Sequence, residues 1–212
     1  MNRPQAALLR AARLYAITPD AEPEVISELV QLWIGAGVRL IQLRHKSAAR
    51  GRILELALEL MGICRPAGVQ LVVNDHLDVA LAAGADGVHL GDEDLSISAA
   101  RRVAGPGFII GASAQEPARA RAAVAAGADY VGSGPAFATP LKPEKAVIGP
   151  AGVARVQASV PVPVFAIGGV DESNLAQLRA AGVERVCVIR ALASRPSAEA
   201  TARRLIALLE GT

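Results

Sequence analysis

Residues 69–94, VQLVVNDHLDVALAAGADGVHLGDED, decide the fold. Two short apolar runs, Val69–Val73 and Gly87–Leu90, each end in polar residues: Asn74-Asp75 after the first, and Gly91 followed by Asp92, Glu93 and Asp94 after the second. Between them Leu77, Ala80, Leu81 and Ala83 recur at helical spacing, and Ala83-Gly84 closes that segment. The pattern reads strand, helix, strand, with chemistry-bearing side chains just beyond each strand.

The same phrasing recurs along the chain, as GAGVRLIQL (35–43), PAGVQLVVN (66–74), AAGADGVHL (82–90), AAGADYVGSG (125–134) and AAGVERVCVI (180–189). Glycine at a helix C-terminus takes the left-handed conformation that ends the helix. The runs that follow are continuously apolar, as in parallel strands covered on both faces. Strands are expected near 14–18, 38–43, 69–73, 86–90, 108–112, 129–132, 163–167 and 185–189. Helices are expected near 23–35, 48–63, 75–83, 96–104, 116–126, 149–157, 172–181 and 197–209. Eight βα units of roughly 26 residues predict an α/β protein, an eight-stranded parallel (β/α)8 TIM barrel in one domain over 1–212. A doubly wound sheet lacks its usual glycine fingerprint after the first strand. Residues 1–11 read as an extra helix or extension against the barrel bottom.

Composition narrows the function classes. No apolar stretch reaches the roughly 20 residues of a membrane span, and none follows Arg3, Arg10 and Arg13 as a secretory signal would. Aromatic residues make up 3% of the chain and the net charge is +2, which argues against a nucleic-acid platform. Cys64 and Cys187 read as isolated buried thiols in a reducing, cytoplasmic setting.

In such a barrel the chemistry lies at the C-terminal ends of the strands. Strand two ends in Gln42, Arg44 and Lys46 on one face, a pair of cations and an amide suited to a phosphate-bearing ligand. Asp75 and Asp94 follow strands three and four, close enough to share a magnesium ion. Each has a structural alternative: Asp75 as a helix N-cap, and Asp92–Asp94 as an acidic first helical turn. His45, His76 and His89 read as structural residues. Strand five ends at Ser113, with Gln115 beyond it. After strand six runs the longest loop, AFATPLKPEKAVIG (136–149), carrying Thr139, Lys142 and Lys145 and read as a lid. Gly168-Gly169 after strand seven and Ile189-Arg190 after strand eight offer backbone amides to a second phosphate.

Seven segments, LYAITPD, IQLRHK, VVNDHLDVALAAGADGVHLGDEDL, GASAQE, GADYVGSGPAFATPLKPE, VFAIGGV and VCVIRAL, occur in an order that resembles the thiamine-phosphate synthases, in the superfamily shared with the thiazole tautomerases. The resemblance covers nearly the whole chain. It implies magnesium-dependent joining of an aminopyrimidine methyl pyrophosphate to a thiazole phosphate, with release of pyrophosphate. It also implies that Gln42, Arg44, Lys46, Asn74 and Lys142 hold the pyrophosphate and that Asp75 and Asp94 hold Mg2+. Ser113 then lies near the pyrimidine, and Thr139 and Gly169 contact the thiazole phosphate. Arg44, Ser113 and Lys142 are the expected catalytic residues. Partners are expected to be these small molecules, with a homo-oligomer allowed and neither nucleic acid nor membrane. Three positions depart from the family pattern: Leu141 stands where a second threonine is common, Arg190 where serine is, and Gln115 where many relatives carry histidine. A tautomerase-like enzyme or a non-catalytic phosphate-binding paralogue are the alternatives; Gln115 argues against the first, because Gln does no acid–base chemistry near neutral pH.

Overall fold

The repeated Ala-Gly phrase ends helices by one device. The glycine turns to positive φ, at 102° in Gly37, 63° in Gly84, 107° in Gly127 and 80° in Gly182. The next N–H then reaches back five residues, from Val38 to the Trp33 carbonyl, Ala85 to Ala80, Ala128 to Ala123 and Val183 to Leu178. This exit satisfies the last helical carbonyls and aims the chain straight into a strand. Where the phrase continues into aspartate, that residue locks the register. The Asp86 N–H donates to the Leu71 carbonyl while its carboxylate accepts from the Leu71 N–H at 2.9 Å. Asp129 does the same to Ile110, at 2.8 Å for the side-chain bond.

The computed structural model describes residues 3–141 and 146–211. Its strands are β1 (Leu14–Ile17), β2 (Leu40–Leu43), β3 (Gln70–Asn74), β4 (Gly87–Leu90), β5 (Ile109–Ser113), β6 (Tyr130–Ser133), β7 (Val164–Ala166) and β8 (Val186–Val188). Every neighbouring pair is parallel, and β8 pairs with β1, so the sheet closes in the order β1 to β8. Helices between strands are α2 (Pro23–Gly35), α3 (Arg50–Cys64), α4 (Leu77–Ala82), α5 (Ile97–Ala104), α6 (Pro117–Ala125), α7 (Gly149–Ala158) and α8 (Leu175–Ala180). An N-terminal helix α1 (Arg3–Ala11) precedes them and α9 (Arg195–Glu210) follows. The (β/α)8 barrel is therefore as the sequence predicts.

Alternation along the strands divides the core in two. Outward residues such as Ile41, Val73, Val88, Ile110 and Val131 pack beneath the helices. Inward residues Tyr15, Ile17, Leu40, Val72, Ile109, Tyr130, Phe165 and Cys187 fill the barrel, joined from below by Leu9 of α1. The extension thus forms a helix that contributes a buried side chain to the barrel interior. Both tyrosines and one phenylalanine of an aromatic-poor chain meet here edge-on, with centroids 5.4–5.7 Å apart. Such contacts add about 0.5–1.5 kcal/mol each beyond burial. Cys64 and Cys187 are free and buried. No described helix is long and apolar enough to cross a membrane.

Some boundaries differ from expectation for local reasons. Strand two begins at Leu40 because Val38 is spent closing the preceding helix. α8 begins at Leu175 and not at 172, since Asp171 and Asn174 bond their own backbone: Asn174 accepts from the Asp171 N–H, and Asp171 from that of Ser173. A 3-10 turn, Arg190–Leu192, follows β8, and its Leu192 carbonyl accepts from the Trp33 indole N–H at 3.1 Å.

Candidate active site

A cavity of about 950 Å³ opens at the C-terminal ends of the strands. Gln42, Arg44, Lys46, Asn74, Asp75, Asp94, Ser113, Thr139, Gly168, Gly169, Ile189 and Arg190 all line it. Lys142 and Lys145 lie outside the described residues.

β2 supplies the cationic wall. Gln42 is buried at 2% exposure and the Arg44 side chain keeps only 14%, so the run is solvated only at its end, where Lys46 keeps 53%. The Arg44 backbone is fastened to the loop after β1: Thr18 Oγ1 donates to its carbonyl and accepts from its N–H, both at 2.9 Å. Its guanidinium donates to Asp20 at 3.0 Å, and Asp20 also accepts from the Lys46 backbone N–H. Burial would raise the Asp20 carboxyl, but that N–H and the guanidinium outweigh it and hold the group below its usual value. Arg44 is thus held in place by charge and backbone together. His45 joins the same carboxylate from its other side, with Nδ1 3.4 Å from Asp20 and Nε2 3.2 Å from the Ala21 carbonyl oxygen.

The two aspartates converge, and neither takes its structural alternative. Asp75 is not an N-cap: α4 starts two residues later, and His76 precedes it without a side-chain cap bond. Asp75 instead holds φ of 64°, the only non-glycine residue at positive φ among those described. A tight turn accounts for it: the His76 N–H donates to the Asn74 carbonyl at 2.7 Å around Asp75, whose own N–H donates to the His89 carbonyl on β4 at 2.8 Å, continuing the strand pairing past Asn74. Asp92–Asp94 form a turn and no helix, because Ser96 caps α5 by accepting from the Ala99 N–H. Asp94 folds back to accept from the Gly91 N–H at 2.7 Å. Burial, and after it the adjacent Asp75 carboxylate, push the Asp94 carboxyl above its usual range against the pull of that N–H and of Lys46. Lys46 Nζ sits 3.4 Å from Asp75. Two carboxylates forced together beside a single ammonium favour an added cation. A pair of hard oxygen donors suits magnesium, which keeps water and phosphate ligands for its remaining positions. Asp92 points elsewhere and pairs with Arg119 at 3.0 Å on the exposed rim.

Across the mouth, Gly168 and Gly169 take φ of 96° and 66°. A side chain at Gly168 would meet Pro135 at 2.7 Å, and one at Gly169 the Ala138 carbonyl at 2.6 Å. The glycines therefore let the loop after β6 lie against the turn after β7, where Ala136 and Phe137 donate to the Ile167 and Gly168 carbonyls. Thr139 Oγ1 accepts from the Leu141 N–H at 3.4 Å, and Leu141 is exposed. Gln115 donates to the Gly134 carbonyl at 3.0 Å, a bridge between two strand ends. Arg190 is exposed and makes no ion pair among the described residues.

Sequence reasoning missed the floor of this cavity. Tyr15, His89 and Cys187 line it. His89 contacts Ser113 Oγ through Nε2 at 3.0 Å and the Tyr130 hydroxyl through Nδ1 at 3.1 Å. The available signal was parity: His89 and Ser113 are polar residues on the inward face of strands.

Known proteins give the site a context. Residues 14–192 match the model of the family described as thiamine monophosphate synthase. A thiamine-phosphate synthase from Gloeobacter violaceus is 47% identical over 184 residues, 87% of this chain and 53% of that protein. One from Chloroflexus aurantiacus is 40% identical over 203 residues, covering 94% of both. The chain spans about half the length of the first of these relatives. The solved thiamine phosphate pyrophosphorylase from Pyrococcus furiosus superposes with a TM-score of 0.84 at 34% identity, over 96% of this chain and 98% of that one.

Proposed function

Because this chain belongs to the thiamine monophosphate synthase family, we propose that it joins an aminopyrimidine methyl pyrophosphate to a thiazole phosphate and releases pyrophosphate. The observation that carries the reading is the meeting of Asp75 and Asp94 beside Arg44 and Lys46, opposite the Gly168-Gly169 turn, across one cavity. Two anionic ends of two substrates need two anion sites with reacting atoms between them.

Arg44, fixed by Asp20 and Thr18, and Lys46 hold the pyrophosphate together with Gln42 and Asn74. Asp75 and Asp94 hold a magnesium ion, which when bound supplies charge stabilisation to the departing pyrophosphate. Ser113 borders the pyrimidine. The backbone at Gly168, Gly169 and Ile189, with Thr139 and Arg190, receives the thiazole phosphate. Lys142, outside the described residues, is assigned to the pyrophosphate by the family resemblance alone. As pyrophosphate leaves, the pyrimidine methylene becomes cationic and the thiazole nitrogen captures it, so no protein nucleophile is needed. Binding both partners in one cavity supplies the orientation. Gln115, committed to the Gly134 carbonyl, has no acid–base role in this scheme.

Purified protein supplied with both substrates and magnesium is expected to form thiamine phosphate and pyrophosphate. Absence of product under those conditions refutes the proposal, and tight product binding without turnover points to a binding paralogue.

A further inference from the structure

Beneath the cavity a single row of hydrogen bonds crosses the barrel interior. Gln42 Nε2 donates to the Tyr15 hydroxyl at 2.7 Å, and that hydroxyl lies 2.8 Å from the Tyr130 hydroxyl. The Tyr130 oxygen is 3.1 Å from His89 Nδ1, and His89 Nε2 is 3.0 Å from Ser113 Oγ. The five residues come from β2, β1, β6, β4 and β5, so the row is a property of barrel closure and not of any one segment.

The row has a direction. An amide nitrogen only donates, so the Tyr15 oxygen accepts from Gln42. Tyr15 and Tyr130 are 1% and 0% exposed, and burial pushes both phenols above their ordinary range, so each keeps its one proton. The Tyr15 proton must find an acceptor, because an unpaired buried donor is disfavoured, and the Tyr130 oxygen is the hydroxyl in reach. Tyr130 then donates onward to His89 Nδ1. Imidazole with Nδ1 accepting carries its proton on Nε2, and that N–H donates to Ser113. The serine oxygen, already accepting, has its own hydrogen left to give.

Backbone geometry keeps this lane open. Gly111 stands in register with both His89 and Tyr130, and a Cβ there would lie 2.1 Å from Tyr130 Cζ. Gly132, in register with Ser113, would place a Cβ 3.2 Å from His89 Cε1. Two inward positions without side chains thus leave the room that the tyrosine and the imidazole fill.

We propose that Gln42, Tyr15, Tyr130 and His89 form a directional relay that sets the Ser113 hydroxyl as a hydrogen-bond donor toward the bound heterocycle, making Tyr15, Tyr130 and His89 positioning residues. The identity of the heterocycle rests on the synthase reading; the direction of the relay does not. The group that takes the Ser113 hydrogen is an acceptor, such as a ring nitrogen.

The test has two readouts on the full chain. Nitrogen-15 NMR of the unliganded protein, with the His89 signal identified by its loss in His89→Gln, is expected to show the Nε2–H tautomer at neutral pH. In Tyr130→Phe or Tyr15→Phe that single-tautomer signature is expected to become mixed. With substrates, Tyr130→Phe is expected to raise KM for the pyrimidine pyrophosphate by up to roughly tenfold at unchanged kcat, the size of one lost hydrogen bond. Ser113→Ala is expected to absorb that effect, so the double variant is no worse than Ser113→Ala alone. An Nδ1–H tautomer in the wild type, or full additivity in the double variant, overturns the relay. If the wild type makes no product at all, the synthase reading fails while the tautomer still decides the relay.

Discussion

Replacing Asp75 separates its two burdens, the carboxylate and the backbone. At φ of 64° it sits where an ordinary L-residue pays about 1–2 kcal/mol relative to glycine. Alanine there keeps that cost, whereas glycine removes it and loses about 0.4–1 kcal/mol through its freer unfolded chain. Both variants lose the Lys46 ion pair, a contact with one half-exposed partner, so that term cancels between them. Asp75→Gly is therefore expected to be more stable than Asp75→Ala by about 1 kcal/mol. In a chain of this length that is roughly 2–4 °C in Tm, readable by calorimetry without metal. This reverses the usual order for a position outside the left-handed region. Both variants are expected to lose turnover at ordinary magnesium, because neither retains the second carboxylate. Alanine matching or exceeding glycine refutes the strain argument, and surviving turnover in either variant refutes the metal assignment. A strained residue retained at a site of chemistry is a known pattern of functional positions.

Gly111→Ala places a methyl 2.1 Å from Tyr130 in a sealed interior, and overpacking of this kind costs about 1–3 kcal/mol, so Tm is expected to fall by roughly 2–12 °C in a thermal melt; an unchanged Tm refutes it. Gly62→Ala lies on the exposed side of α3 with nothing within 4 Å of the added methyl, and is expected to gain about 0.5–1 kcal/mol in chemical denaturation. The folded Asp20 carboxyl lies below its unfolded value, so its pairing stabilises above the unfolded carboxylate range and is lost as pH falls through the folded one. A carboxyl NMR titration is expected to show the Asp20 midpoint moving up in Arg44→Gln; no movement would show that the guanidinium does not hold it.

The barrel was legible because its cause is local and repeated. At five helix-to-strand junctions a glycine and the five-residue backward bond after it act within a few positions of the chain, so each appears in the sequence as a phrase. The rim residues were legible for a related reason: they follow strand ends, and a polar side chain after an apolar run is visible without knowing which strands adjoin. What the local pattern misassigned were the roles of the acidic residues. Asp75 looked like a helix cap, but its backbone is claimed by the next strand, a contact made only when β3 and β4 pair. The floor was hidden for the same reason at greater range. Tyr15 and Tyr130 are 115 residues apart and meet only on closure of the barrel, which sets Gly111 beside both His89 and Tyr130. Register is the missing quantity, because a shift of one residue would turn the whole row outward. Asp86 and Asp129 fix that register from within the Ala-Gly phrase itself, through paired bonds to Leu71 and Ile110. The repeat that announces the fold therefore also carries the device that aligns its polar interior.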